Sequence, residues 1–127
     1  VEETRLYYMI RDKFPDAERE YSPKWLGRQR IDIYIPSKDI GIEYNGEQHY
    51  KPIDWFGGNK GFINQQKRDE KKRELCKTNG LTLIEWRFDE EISEENLYVK
   101  LITLFPEESK LGGKNQDGRR SVSRCSN

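Results

Sequence analysis

Two acidic residues, Asp32 and Glu43, are the side chains in this sequence best placed to bind a metal ion together. The segment between them, Pro-Ser-Lys-Asp at 36–39, is typical of a tight turn, so antiparallel strands should flank it. With that turn, Ile35 faces Ile40, and Asp32 faces Glu43 across the hairpin. Directly opposed carboxylates repel each other, because their Cβ atoms lie about 4.5–5.5 Å apart. A divalent cation would remove that repulsion, since hard cations prefer carboxylate oxygens.

The residues that follow Glu43 are polar and include the one histidine of the chain, His49. Histidine can accept or relay a proton near neutral pH, because its ordinary pKa is about 6.5. We therefore expect His49 to take part in the same site. The alternatives are two solvated acids on an exposed sheet face and a histidine with a structural role.

A helix predicted from about Phe62 to Thr78, and ended by Asn79-Gly80, has a stripe that is polar in its middle. At helical spacing this stripe consists of Phe62, Gln65, Asp69, Lys72 and Cys76. A helix face that packs on a sheet is normally apolar. Asp69 and Lys72 therefore indicate that this face serves the site. The alternative is a solvated face of a helix rich in charged residues.

Cations alternate with aromatic residues around the long segment from Gly46 to Gly61, which is predicted to be a loop. Lysine and arginine neutralise phosphates, and an aromatic ring can stack on bases or wedge between them. The residues expected to contact nucleic acid are Lys51, Trp55, Lys60, Lys67 and Arg68. The alternative is that the aromatic loop forms a lid over the core.

These residues should be positioned by a mixed α/β fold. Glu2 to Phe14 is predicted to be an amphipathic helix, and Glu3 lies on its apolar stripe, so Glu3 should face the sheet. A third strand is predicted from Leu81 to Phe88, and a last helix from Ser93 to Phe105. The alternation of the hairpin places one set of residues on a single face. That set is Ile31, Ile33, Ile35, Ile40, Ile42 and Tyr44.

The composition is that of one small domain. Of the 127 residues, 33% are hydrophobic and 36% charged, so the core must be lean and depend on its aromatic residues. A net charge of zero does not argue against nucleic-acid binding, which depends on local clusters. Cys76 and Cys125 have neither the number nor the spacing of a disulfide framework or a zinc site.

We expect an ordered domain over residues 1–105 and a flexible basic tail over residues 106–127. The sequence shows no signal peptide and no apolar run of membrane-spanning length, which predicts a cytoplasmic protein without a membrane partner. A first residue of Val rather than Met is compatible with a longer parent protein that carries an additional DNA-binding domain. The sequence does not determine the oligomeric state.

The order of these motifs resembles that of the PD-(D/E)xK nuclease superfamily, and within it the branch of very-short-patch-repair endonucleases. Arg-Ile-Asp at 30–32 is followed by Ile-Glu-Tyr-Asn-Gly-Glu-Gln-His at 42–49. Next come a helix with Gln-x-x-Arg-Asp-x-x-Lys at 65–72 and a strand that opens with Gly-Leu-Thr-Leu-Ile at 80–84. The resemblance spans residues 2–88. It implies a restriction-endonuclease-like core, in which a small central mixed sheet with a β-hairpin is flanked by helices.

The resemblance also implies a set of catalytic residues. They would be Glu3, Asp32, Glu43, His49, Asp69 and Lys72. Asp32 and Glu43 would be the metal ligands, and the cofactor would be Mg²⁺, for which Mn²⁺ could substitute. One position departs from the family, because Asn45 occupies the place of the usual lysine, and an amide is neither a cation nor a base. Either Lys72 reaches the site from the helix, or His49 or Gln48 activates the attacking water.

Together these features predict a metal-dependent endonuclease of restriction, repair or homing type that acts on double-stranded DNA. A junction resolvase or an RNA-directed nuclease would use the same metal site. The alternative, which Asn45 favours, is a non-cleaving module of the same fold that binds nucleic acid or another protein.

Overall fold

A mixed sheet of four strands and three α-helices make up the computed structural model, which describes residues 2–104. The helices are α1 (Glu2–Lys13), α2 (Gly58–Thr78) and α3 (Glu94–Leu104). The strands are β1 (Glu18–Tyr21), β2 (Ile31–Ile35), β3 (Ile40–Asn45) and β4 (Thr82–Arg87). Their order in the sheet is β1-β2-β3-β4, antiparallel from β1 to β3, with β4 parallel to β3. The predicted mixed α/β architecture is therefore confirmed.

The predicted hairpin register is confirmed from Ile35 to Ile33, whereas the expected ladder pair of Asp32 with Glu43 is not formed. Ile35 pairs with Ile40 and Ile33 with Ile42, as expected from a turn at 36–39. The β3–α2–β4 connection joins two parallel strands, which requires a crossover rather than a tight turn. In this parallel pair Glu43 lies beside Glu85, so both carboxylates point to the same face of the sheet.

Strand β1 was not predicted from the sequence. Its four residues, Glu-Arg-Glu-Tyr, lack the alternation of apolar and polar side chains that signals a half-buried strand. Only Tyr21 is even partly buried, and β1 forms the edge of the sheet. Pairing with β2, rather than any local pattern, makes this segment a strand.

Helix α2 begins at Gly58, four residues earlier than predicted, and it shortens the segment that was expected to be a loop. Two short 3₁₀ turns, Glu47–His49 and Asp54–Phe56, occupy much of what remains. Gly57 has a φ of 93°, and a Cβ at Gly61 would lie 1.9 Å from the carbonyl oxygen of Phe56. The helix can begin here because glycine is tolerated at both positions.

One of the isoleucines predicted to share a face lies elsewhere. Ile31 is buried in a cluster that joins the sheet to α2, whose other buried members are Leu26, Cys76 and Leu81. The prediction that Ile31 lies with Ile33 is therefore wrong. The alternation changes at Asp32, where the pairing of β2 with β3 ends and where Glu20 of the neighbouring strand has a φ of 55°. This interruption of the hairpin is where the candidate site lies.

The chain divides into two compact units, the first ending at Ile92 and the second beginning at Ser93. In the second unit, the Asn96 main-chain N–H donates to Ser93 Oγ and caps α3. The predicted tail, 106–127, lies outside the described residues, so its flexibility stays a prediction. No helix in the described part of the chain combines the length and apolar character needed to cross a membrane.

Candidate active site

Asp32 and Glu43 lie together where the β2–β3 pairing ends, and the carboxylate of each accepts a main-chain hydrogen bond from the other strand. The main-chain N–H of Asp32 donates to Glu43 Oε2 at 2.8 Å. The main-chain N–H of Tyr44 donates to Asp32 Oδ2, also at 2.8 Å. These two hydrogen bonds fix the two acids side by side. Asp32 Oδ1 takes no part in them.

The environment of this acid pair disfavours its negative charge. Glu43 is only 8% exposed, and Asp32 is half-buried beside it. Burial, and next the charge of Glu43, raise the pKa of Asp32 to about 7, although the Tyr44 N–H opposes the shift. Metal-free Asp32 therefore holds its proton up to neutral pH, and a cation beside it would stabilise the charged form.

Lys72 reaches the acid pair from α2. Its Nζ lies 2.7 Å from Glu43 Oε1 and 2.6 Å from the carbonyl oxygen of Arg30. The Lys72 side chain is only 15% exposed, so this ion pair is largely removed from water. Lys72, which the sequence offered as one alternative to the missing lysine, therefore does reach the acid pair from the helix.

His49 and Asp69 form a hydrogen-bonded pair beside the Lys72–Glu43 ion pair. His49 Nδ1 lies 2.8 Å from Asp69 Oδ2, and the Gln65 side-chain amide donates to Asp69 Oδ1 at 2.9 Å. Both members of the pair are 14% exposed. Burial would raise the pKa of Asp69, but the hydrogen bonds from His49 and Gln65 hold it below its ordinary value. Asp69 is therefore an ionised partner for the imidazole.

These two pairs lie on the same face of α2, because Asp69 and Lys72 are three residues apart and neighbours on the helix surface. Gln65, Asp69 and Lys72 are all partly buried and Cys76 is fully buried. The predicted stripe is thus turned inward, and the alternative of a solvated helix face is wrong for these residues.

Asn45, Tyr50, Arg73 and Glu85 belong to the same polar cluster, but as site residues they were missed in the sequence. Asn45 Nδ2 donates to Glu85 Oε1 at 3.1 Å and to the Tyr50 hydroxyl at 3.2 Å. Arg73 donates twice to Glu85, from Nε at 2.6 Å and from Nη2 at 2.9 Å. The signal in the sequence was a glutamate in the middle of an otherwise apolar strand, between Ile84 and Trp86.

Glu3 lies near the site, but its carboxylate contacts Arg19. The α1 helix places Glu3 close enough to Asp32 for its charge to contribute to the raised pKa of Asp32. Its Oε2 lies 3.4 Å from Arg19 Nη2 on β1, and the side chain is 33% exposed. In this state Glu3 is held by Arg19 rather than by the groups around Asp32.

The predicted nucleic-acid contacts are on the surface around the start and middle of α2. Lys51, Lys60, Lys67 and Arg68 are exposed, with Lys51 paired to Glu47 and Arg68 donating to Gln65. Trp55, in the second 3₁₀ turn, is 88% exposed. An indole that exposed does not cover the core, so the alternative of a lid over the core is wrong for Trp55.

The acid pair fits a divalent cation by the chemistry of its oxygens. Within residues 2–104, no three histidine, cysteine or acidic side chains converge as a metal-binding group. Asp32 and Glu43 offer two adjacent carboxylates, which is the number that Mg²⁺ commonly takes from a protein whose substrate supplies phosphate oxygens. They are therefore the residues that would hold the ion.

Proteins of similar sequence occur in two invertebrate iridescent viruses. The chain is 50% identical to "Uncharacterized protein 307L" of Invertebrate iridescent virus 6 over 72 residues, which are 56% of this chain and 36% of that protein. It is 39% identical to "Uncharacterized protein 033L" of Invertebrate iridescent virus 3 over 100 residues, 75% of this chain and 52% of that protein. The chain thus spans about half, or less, of the length of these relatives. No protein-family model and no solved structure matches it.

Proposed function

We propose that this domain is a metal-dependent nuclease that hydrolyses phosphodiester bonds in double-stranded DNA, built on a restriction-endonuclease-like core. The observation that supports this most is the pair of carboxylates, Asp32 and Glu43, with Lys72 bound to one of them and His49–Asp69 beside them. Hydrolysis of a phosphodiester needs a proton acceptor, a positive charge near the phosphate and a site for a metal ion. The cluster contains a candidate for each.

Asp32 and Glu43 would hold the ion in this mechanism. Mg²⁺, or Mn²⁺ in its place, would supply Lewis acidity at the phosphate and lower the pKa of a bound water. Lys72 supplies a fixed positive charge that can stabilise the charge developing on the phosphate oxygens. His49 accepts a proton at Nε2, because its Nδ1 is held by Asp69. The ionised Asp69 orients the ring and stabilises its protonated form.

A plasmid-cleavage assay tests this function directly. We expect supercoiled DNA to be nicked or linearised with Mg²⁺ or Mn²⁺ and to remain intact with EDTA. If neither ion supports cleavage of double-stranded DNA, the proposal is wrong. DNA binding without cleavage would then favour the non-cleaving module, and cleavage confined to RNA or to junctions would reassign the substrate.

His49→Ala should lower the cleavage rate about 10²–10³-fold at neutral pH, since positioned general bases contribute rates of this order. The pH–rate profile should be measured at saturating Mg²⁺, because the pKa of Asp32 is about 7 in the metal-free protein. A general base at this position makes the cleavage rate depend on pH, and His49→Ala should lose that dependence. Gln48→Ala is the companion variant. Near-normal cleavage by His49→Ala with a large loss in Gln48→Ala would move the water-activating role to Gln48.

Trp55→Ala should weaken DNA binding about five- to 150-fold, because stacking of an aromatic ring on a base contributes roughly 1–3 kcal/mol. The free energy of unfolding should change by less than about 0.5 kcal/mol, since the indole is 88% exposed. Tyr8→Ala removes another exposed aromatic ring, from α1, and is the control. Fluorescence anisotropy with a labelled duplex measures both affinities. Equal affinities of wild type and Trp55→Ala would remove Trp55 from the DNA interface.

A further inference from the structure

We propose that Asn45 and Tyr50 are positioning residues that hold the His49 ring against Asp69, so that Nε2 is the nitrogen left to accept a proton. The kinetic consequence rests on the proposed nuclease function, but the arrangement itself can be tested without any activity. Asn45 stands where the resemblance leads one to expect a lysine, and the structure gives this amide a different task.

Asn45 is a buried cross-link between three elements. It is 4% exposed at the end of β3, and its Nδ2 donates to both Glu85 on β4 and Tyr50 after the first 3₁₀ turn. An ionised carboxylate only accepts hydrogen bonds, so the Asn45 atom that faces Glu85 must be the donor, the amide nitrogen Nδ2. Glu85 is in turn held by two hydrogen bonds from Arg73 of α2. The amide is therefore anchored to β4 directly and to α2 through Glu85.

Tyr50 fixes the end of the turn that carries His49. The turn closes through the His49 N–H to the Gly46 carbonyl at 3.1 Å and the Tyr50 N–H to the Glu47 carbonyl at 3.0 Å. The Tyr50 hydroxyl is bound by Asn45, and the Arg87 guanidinium carbon lies 3.9 Å from the centre of its ring. Tyr50 is thus held both at its ring and at its hydroxyl, which leaves the adjacent His49 little freedom to rotate. His49 is therefore kept facing α2.

The direction of His49 decides which of its nitrogens can act as a base. With Nδ1 2.8 Å from the Asp69 carboxylate, the neutral ring keeps its proton on Nδ1, and Nε2 carries the free lone pair. If the turn is released, the ring can rotate away and the other tautomer becomes populated. Asn45 and Tyr50 would thus set the proton acceptor without touching the substrate.

Nitrogen-15 NMR of the ring tests this in the metal-free protein, and His49 is the one histidine of the chain, so its ring signals need no assignment. We expect the neutral wild type to show a single tautomer with the proton on Nδ1. Tyr50→Phe, which removes one oxygen atom, and Asn45→Ala should both give a mixture of tautomers. In the cleavage assay both should lower kcat about tenfold with KM unchanged within about twofold, because a small misplacement of a reacting group costs up to ~10²-fold.

Ile35→Val is the control, since it loses one buried methylene at the far end of the hairpin and should lower stability without touching the site. It should keep the single tautomer and the wild-type kcat, which separates positioning from general destabilisation. A wild type that already shows mixed tautomers, or a single Nδ1-protonated tautomer in Tyr50→Phe, overturns the proposal. A wild type without nuclease activity would overturn the proposed function, whereas the NMR comparison would still decide the roles of Asn45 and Tyr50.

Discussion

Asp32→Asn is expected to abolish DNA cleavage, by a factor on the order of 10³ or more, and to stabilise the metal-free fold at neutral pH. The loss of activity follows because one of the two carboxylates for the ion is gone, and a bound metal contributes several kcal/mol to catalysis. The stabilisation follows because burial and Glu43 disfavour the charged form of Asp32. The Tyr44 N–H keeps an acceptor, since an asparagine oxygen can replace Oδ2.

The stabilisation should depend on pH in a defined direction. The pKa of Asp32 is raised from 3.8 in a free side chain to about 7 in the fold, so the folded protein binds the extra proton between these values. The wild type therefore loses stability as the pH rises from about 4 to about 7. The advantage of Asp32→Asn should grow over that window and then level at no more than about 4 kcal/mol, at roughly 1.4 kcal/mol per pKa unit. Urea unfolding at several pH values with EDTA measures it.

Asp12→Asn is a matched control, because it makes the same change of charge at an exposed position of α1 and should leave cleavage and stability as they are. If relief of repulsion were the whole effect, Glu43→Gln would gain a similar amount of stability. We do not expect this gain, because Glu43 accepts hydrogen bonds from Lys72 and from the Asp32 N–H. A glutamine would turn its NH₂ group, a donor, toward one of these two donors. An Asp32→Asn variant that still cuts DNA at the wild-type rate would contradict the metal site.

Lys72→Met is expected to destabilise the metal-free protein by about 3–5 kcal/mol, because the variant leaves the buried Glu43 carboxylate without its partner. A divalent ion should restore much of this stability, since it can replace the lost positive charge beside Glu43. Thermal unfolding with and without Ca²⁺, which avoids cleavage during the measurement, should show a larger Ca²⁺-induced rise in Tm for Lys72→Met than for the wild type.

The adjacent Lys71→Met makes the same change of charge on the exposed side of α2 and should behave as the wild type in both measurements. Cleavage by Lys72→Met should fall at least about tenfold even with saturating metal, and Lys72→Arg should recover part of it, since both side chains carry the charge. An equal Ca²⁺-induced rise in Tm for Lys72→Met and the wild type would show that the Lys72–Glu43 ion pair and the metal site are unrelated.

Several features of the site could be predicted because short stretches of sequence encode them. The turn at 36–39 and the alternation on either side of it determine the register from Ile35 to Ile33, and Asp32 and Glu43 come together directly beyond its end. Helical spacing alone places Gln65, Asp69 and Lys72 on one face of α2. In each case the relevant partners lie in one element or in one hairpin, where the period of the backbone decides the direction of a side chain.

Other features depended on elements that meet only in the folded chain. No local pattern shows that Lys72 pairs with Glu43, 29 residues away, rather than pointing into solvent, or that Asn45 donates to Glu85, 40 residues away. Strand β1 is recognisable by its pairing with β2 and not by its own residues, and the irregularity at Asp32 moved Ile31 to another face. The sequence by itself determined which chemical groups lie along each strand and helix. The packing of α2 over the parallel β3–β4 pair decided which of those groups form ion pairs, because cross-element distances depend on the whole fold.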